Sequence, residues 1–411
     1  LSGDRIAMPS DLKRLNRQKI LEVFRSGEVL TAADIHEATH ISRPTVMRAL
    51  QYFCQNGVLK SMGLGSATSV GGKKPEQFAF GDERKILSIS LWPQTITFAL
   101  CGLVGGIAEL TQYEHELEND LEAAFASLKT YAQDYMREQN ITIDQLYGVV
   151  LNLPGTVDYD RMLLRYNPKA PGWGTDIEME QHLRAIFGND VVLFVDNAGK
   201  AVGRAVLLDN PEYAERRLLT VFSTWGISAC MIEDGKILSG PLSLVGEIGH
   251  MSIDRSDPVQ CACGRYGCLE QLVSRERLIA MLAQDPPPEG SPLAGAGSSL
   301  SFAMLFAAAG AGDPCACRLT DHLARCYSDA LHNVAVVYNP DQVIFQGSIG
   351  HACGYFDRRL REYLSGFCYF PDGEAFRITY DDTDLLTLNA DGGWYMLNEH
   401  YFGDPLLYQD A

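Results

Sequence analysis

Gly246-Glu-Ile-Gly-His250, followed by Cys261-Ala-Cys-Gly-Arg-Tyr-Gly-Cys268-Leu-Glu270, holds the densest chemistry in this chain. Three cysteines fall within eight residues, with Gly264 and Gly267 between them, and a histidine precedes the first by eleven positions. Thiolates and an imidazole at this density suit a tetrahedral Zn²⁺ site of the Cys₃His type, with His250, Cys261, Cys263 and Cys268 as ligands. The glycines let the backbone fold back so that the sulfurs converge. Two carboxylates, Glu247 and Glu270, adjoin these ligands, and a metal knot would hold them rigidly, as a ligand site requires. A Cys261–Cys268 disulfide and three ordinary thiols are the alternatives. The disulfide is disfavoured by an odd total of eleven cysteines and by an N-terminus, Leu1-Ser-Gly-Asp4, that is no secretory signal. Met251 and Ile253 predict a strand running on from the histidine into the core.

The 411 residues are 46% hydrophobic, enough for two or three domains with sizeable cores. No apolar run reaches the roughly 18 residues of a membrane span. Cysteines without a disulfide framework point to a reducing cytoplasm. Cys315 and Cys317 form a second Cys-x-Cys without further ligands nearby and are expected at a helix start. Net charge is −18, yet residues 1–80 carry eleven Lys/Arg against seven Asp/Glu, a local balance of +4. A basic head on an acidic body implies that only the head meets a polyanion.

Within that head, Leu15, Ile20, Leu21 and Phe24 give a helical rhythm over Leu12–Arg25, ended by Gly27. Thr31 is placed to cap a second helix, Ala32–Thr39, and Ser42 a third, from Arg43 to about Gln55. Pro44 sits in the first turn of the third, where its missing N–H does no harm. Helix, tight connection, helix is a DNA-reading arrangement whose second member enters the major groove. Ser42, Arg43, Thr45 and Arg48 then lie on the groove side, and Val46, Leu50 and Phe53 face the core. Strands at 57–62 and 77–80 flank a turn with Lys73 and Lys74 at its tip. This hairpin is the wing, placed for phosphate or minor-groove contact.

From Lys85 the pattern changes to β-rich runs at Ile86–Leu91, Thr95–Leu100 and Ile107–Tyr113. A helix over Glu118–Arg137 and a buried strand at Leu146–Leu151 follow. Further strands are expected near Val191–Val195, Leu218–Ser223, Ser228–Glu233 and Gln342–Gln346, alternating with helices, which indicates an α/β body. Asp285–Ser299 has the composition of a surface loop. No repeat of solenoid period is visible.

The winged helix together with Gly-Glu-Ile-Gly-His and Cys-x-Cys-Gly-x-x-Gly-Cys-Leu-Glu closely resembles the ROK family of sugar kinases and sugar-responsive repressors. The resemblance covers essentially the whole chain. It implies a winged helix-turn-helix domain over residues 1–81 and a ROK domain of ribonuclease-H/actin-like fold over 82–411. That domain would have two lobes with a boundary near 200, a ligand cleft, and a C-terminal helix returning to the first lobe. It also implies structural zinc on His250, Cys261, Cys263 and Cys268, and sugar hydroxyls on Asn197, Glu247, His250 and Glu270.

Departures from the family pattern bear on activity. Where the kinases carry Asp-Ile-Gly-Gly-Thr, this chain reads Ser90-Leu-Trp-Pro-Gln-Thr95, and Trp92-Pro93 cannot offer close N–H approach to a phosphate. A second glycine loop reads Thr224-Trp-Gly-Ile-Ser-Ala-Cys230, and a third Gln346-Gly-Ser348. The motif Glu-Asn-Asp-Ala-Asn reads Asp196-Asn-Ala-Gly-Lys200, so Ala198 falls on the catalytic aspartate and cannot take the proton of a sugar hydroxyl. Asp196, on a strand-to-helix turn, would point elsewhere. The expectation is a cytoplasmic, non-enzymatic repressor that binds operator DNA as a homodimer or dimer of dimers, away from membranes, and answers to a sugar or sugar derivative. Lys169, where family members often carry an Asn near the sugar, fits either an acidic or phosphorylated ligand or a plain solvent-exposed position. An active sugar kinase with a DNA head, and a repressor controlled by a protein partner, are the alternatives.

Overall fold

The computed structural model describes residues 9–65, 74–107, 109–208, 210–224, 226–366 and 376–409. The chain divides into two units. One holds Leu1–Asn152, Glu178–Val195 and Gly393–Ala411, the other Leu153–Ile177 and Asp196–Gly392.

The basic head belongs to the first unit. Its helices are Pro9–Glu22, Ala32–Thr39 and Arg43–Gln55, followed by wing strands Leu59–Leu64 and Glu76–Phe80. A two-residue strand, Leu30–Thr31, pairs antiparallel with Glu76–Phe80. Thr31 starts the second helix with a reciprocal box: its Oγ1 accepts the Asp34 N–H at 3.3 Å, and its own N–H donates to Asp34 Oδ2 at 2.8 Å. Ser42 stands at the corresponding position of the third helix but does not cap it; its hydroxyl bonds Thr45 Oγ1 at 3.0 Å instead. Ile20, Leu21, Phe24, Ile35, Val46, Leu50 and Phe53 are fully buried. Leu15, part of the expected helical rhythm, is exposed.

The end of the chain completes this head. Tyr408 sits edge-on to Phe53, and Arg17 donates to the Tyr408 carbonyl at 2.8 Å while stacking 3.3 Å above the Tyr52 ring. Tyr52 Oη donates to the Gln409 carbonyl at 2.6 Å. Such burial of an arginine stem beneath an aromatic ring combines apolar contact with cation–π attraction.

Each unit carries a five-stranded sheet. In the first, the order is Val192–Asn197, Leu146–Leu153, Lys85–Leu91, Thr95–Gly102, Leu110–Glu114. In the second it is Lys236–Ile237, Ile227–Glu233, Leu218–Ser223, Gln342–Gly347, Arg377–Asp381. Numbered within each unit, both sheets run 3-2-1-4-5: three antiparallel strands in a meander, then a strand parallel to the first. The first strands, Leu218–Ser223 and Lys85–Leu91, are buried almost throughout, as central strands covered on both faces must be. The fold is the expected α/β class, a winged helix-turn-helix followed by ribonuclease-H/actin-like sheets.

Helix Leu121–Glu138 is capped by Asp120 and buries Phe125, Leu128 and Tyr135. The 24-residue helix Pro314–Val337 opens on Cys315 and Cys317 and lines the core of the second unit. No helix among the described residues is long and apolar enough to cross a membrane.

Candidate functional site

Ile227–Glu233 anchors the site. Ala229 N–H donates to the Gly246 carbonyl at 2.6 Å, which ties the Gly246–His250 loop to this strand. The expected strand after His250 does not form. Ile248–His250 is one turn of 3₁₀-helix, and beyond it only an isolated bridge joins Ser252 to Cys268. Met251 and Ile253 still pack against the core, but their backbone is spent on the cysteine loop: Leu269 N–H donates to Met251 O, and Ile253 N–H to Gly267 O. Gly267 adopts φ +69°, and a Cβ there would meet the Asp254 carbonyl at 1.9 Å, so only glycine closes the loop.

This folding brings together all four residues expected from spacing. One ligand atom from each of His250, Cys261, Cys263 and Cys268 lies within 4.8 Å of every other. Cys261 Sγ is 3.6 Å from His250 Nδ1, and Cys263 Sγ is 3.6 Å from Cys268 Sγ. A tetrahedron with bonds of about 2.0–2.3 Å has edges of about 3.5–3.8 Å, so the donor set fits a small, soft-tolerant cation. Without one, burial pushes the Cys268 thiol up to about 12. Four potential ligands crowded in this way are compatible with a structural metal.

The two acids hang from this cluster. Glu270 is on the helix Leu269–Val273, which starts immediately after Cys268. Its Oε2 accepts the Ile227 N–H at 2.8 Å and lies above Gly226, where a Cβ would come within 2.6 Å of it. Gly226 is therefore a site residue: it leaves room for the carboxylate. Glu247 stands at the start of the 3₁₀ turn that ends in His250. Its carboxyl is half-buried, without a hydrogen bond or ion pair among the described residues. Burial raises its pKa; His250 and then Lys200 offset that, and Glu270 adds to it.

Asn197 is less available. Its Oδ1 caps the helix Ala198–Ala205 by accepting the Lys200 N–H at 3.0 Å, and its Nδ2 donates to the Gly155 carbonyl at 2.5 Å. Asp196 turns inward, as expected. It is fully buried, paired with Arg204 at 2.5 Å and bonded to the Asn197 N–H. A cavity of about 610 Å³ adjoins Glu270, lined also by Lys169, Thr224, Gly226, Arg275 and Ser348 among others.

In the head, Ser42, Arg43 and Arg48 are exposed and Thr45 half-exposed along one side of the third helix, opposite the buried Val46 and Leu50. Arg48 Nε donates to the Pro44 carbonyl at 3.2 Å, one turn back along the same helix. Lys74 is exposed just before the second wing strand; Lys73 lies outside the described residues.

The model described as the ROK family matches residues 87–375 of this chain. The chain belongs to the ROK family. It is 22% identical over 374 residues to the xylose repressor of Bacillus subtilis (strain 168), covering 91% of this chain and 92% of that one. It is 28% identical over 262 residues to a glucokinase of Halalkalibacterium halodurans, covering 61% and 76%. Among solved structures, a ROK family transcriptional regulator, homolog of the E. coli MLC protein, superposes with TM-score 0.77 at 19% identity over 97% of this chain and 100% of that one. That likeness shows a shared fold extending over the head.

In this ROK chain four described N–H groups at the glycine-loop positions are spent internally. Trp92 N–H donates to Thr95 O, and Pro93 has none. Thr224 N–H donates to Gly226 O, Ile227 N–H to Glu270, and Ser348 N–H to Ser223 O. Phosphate cradles need such donors pointing outward. Ala198 is buried, and its carbonyl accepts from Asn389 Nδ2 at 2.7 Å.

Proposed function

We propose that this ROK protein is a DNA-binding transcriptional regulator, a repressor, whose operator affinity is set by a sugar or sugar derivative bound near Glu247, His250 and Glu270. The observation that carries this is the folded winged helix-turn-helix on a ROK body. Its third helix presents Ser42, Arg43, Thr45 and Arg48 to solvent, with Lys74 exposed beside the wing strand for phosphate. Zn²⁺ on His250, Cys261, Cys263 and Cys268 is structural in this reading, since four protein ligands leave no open position. The protein works in the cytoplasm as a homodimer, reading two half-sites about one helical turn apart. The effector acts by favouring one arrangement of the two DNA heads over another.

Selection of bound sequences from random duplexes, followed by titration of the winner with sugars, tests this. Lys74→Ala is expected to weaken binding to every sequence and to reduce the salt slope by about one charge. Arg48→Ala is expected to cost about 1–3 kcal/mol and to relax preference at one base pair. Equal losses on selected and random DNA would contradict the groove placement of Arg48.

The glucokinase relatives motivate a phosphorylation assay. Removing a general base costs about 10²–10⁴-fold, and here the phosphate donors are turned inward as well. ATP is expected to give no thermal shift with or without magnesium, and Ala198→Asp should not create a kinase. ATP-dependent phosphorylation of any sugar by the unmodified chain would overturn the non-enzymatic reading.

A further inference from the structure

The third helix carries its groove-side residues in its first half and is held from outside the head in its second. Tyr52 Oη donates to the Gln409 carbonyl at 2.6 Å, and Tyr408 packs edge-on against Phe53. Arg17, on the first helix, donates to the Tyr408 carbonyl at 2.8 Å and lies over the Tyr52 ring. The grip extends along the residues that lead to this point. Glu399 pairs with Arg25, whose guanidinium sits 4.6 Å from the centre of the Phe402 ring. Phe80, on the second wing strand, meets Tyr401 at 5.8 Å and Phe402 at 5.9 Å, and Tyr401 Oη donates to Asp82 at 3.2 Å. Segment 399–409 therefore touches the first helix, the third helix, the wing and the connection that follows the wing. All of these residues belong to the first unit.

This is more than the head needs in order to fold. Ile20, Leu21, Phe24, Ile35, Val46 and Leu50 are fully buried and supply a core from head residues alone. The segment is also ill placed to contact DNA. Arg17 is 6% exposed, so its charge is committed inward and not to phosphate. What the contacts do accomplish is orientation. Only residues 81–84 separate the wing strand from the first strand of the body sheet. Within them Arg84 pairs with Asp82 at 2.7 Å and lies 5.0 Å over the Tyr147 ring. A head on a loose tether samples many orientations and loses that freedom on binding; a head clasped on several elements has lost it already.

We propose that segment 399–409 is a strap that sets the orientation of the DNA head on the body. Arg17 and Tyr52 are positioning residues in it: they fix the third helix, and through it the half-site spacing that the dimer accepts. The inference rests on the regulator reading above and deepens it from DNA binding to the control of operator geometry.

The test measures binding of the full chain to the selected operator, to the same operator with one or two base pairs inserted between its half-sites, and to a duplex carrying a single half-site. The Arg17→Met/Tyr52→Phe protein loses both grips on the strap carbonyls. It is expected to bind the operator roughly tenfold less tightly or worse, because the effective concentration of the second head falls. It should also discriminate less against the insertions, each of which turns the second half-site by about a tenth of a helical turn. Affinity for the single half-site and the salt slope should match the unmodified protein, since neither residue faces phosphate. Tyr52→Phe alone keeps the ring under Arg17, and it should shift spacing preference in the same direction by a smaller factor should the double variant fold poorly. Equal losses on the single half-site and on the full operator would make the strap a stabiliser of the head and overturn the proposal. An unchanged preference for the original spacing would overturn it as well. Failure of the unmodified protein to prefer any duplex overturns the regulator reading together with it.

Discussion

Removing the zinc proposed for the Cys₃His cluster is expected to be strongly destabilising. Cys268→Ser and Cys263→Ser should each purify without zinc and lose at least about 4 kcal/mol, the range reached when a structural metal is removed. The reason is local. The loop from Gly246 to Leu269 has little regular structure of its own: one 3₁₀ turn, two isolated bridges and a few backbone bonds. Four side chains converging on a cation would cross-link it. Glu247 and Glu270 both hang from this loop, so ligand binding should fall together with zinc content. Cys317→Ser is the control, a half-buried thiol at the start of the Pro314–Val337 helix and outside the cluster. Elemental analysis and thermal denaturation of the three variants check this. Untreated protein with less than a tenth of an equivalent of zinc, or a Tm unmoved by chelation, would remove the metal from the account.

Breaking the Asp196–Arg204 pair is the second large effect. Asp196 is fully buried and Arg204 nearly so, at 2.5 Å, and burial of both charges is tolerated only because each compensates the other. Arg204→Leu leaves a buried carboxylate with a single backbone donor, the Asn197 N–H, and is expected to cost about 3–5 kcal/mol. Replacing both residues with leucine should recover most of that loss, since an apolar pair carries no desolvation cost. Chemical denaturation of the single and double variants measures the difference. A single-variant cost under about 1 kcal/mol would mean that water reaches the pair.

The Asp196–Lys200 turn shows how much of the site could be read in advance. The sequence alone showed Ala198 where a base would stand, and it placed Asp196 out of reach. It could not show Arg204 as the partner that turns Asp196 inward, nor that the Asn197 amide nitrogen would be spent on the Gly155 carbonyl. Lys200 went unremarked, because a lysine in a sequence reads as surface until its burial is known. Gly226 was read as the remnant of a phosphate loop. Its Cα faces the Glu270 carboxylate, 44 positions along the chain, and no local pattern carries that.

The same division holds for the head and the sheets. Thr31 and the hydrophobic rhythm of residues 46–53 specify the helices directly, since caps and periodicity are local. Their closure by Tyr408 and Gln409 is not local: nearly four hundred residues separate Arg17 from the carbonyl it binds. The two 3-2-1-4-5 sheets share an order but no visible repeat of residues, because strand order depends on backbone pairing, which many sequences satisfy.

What this sequence determined by itself was chemistry set by short spacing: a basic helical head, four metal-type ligands, two adjacent carboxylates and degraded phosphate loops. Only the tertiary structure decided which polar groups remain open to a ligand. Bonds both local and distant had already claimed Asn197, Asp196 and several of the loop N–H groups, and they left the Glu247 carboxylate unclaimed among the described residues. Periodicity and motif spacing record which groups a segment carries; packing across tens to hundreds of residues determines which of them are used up.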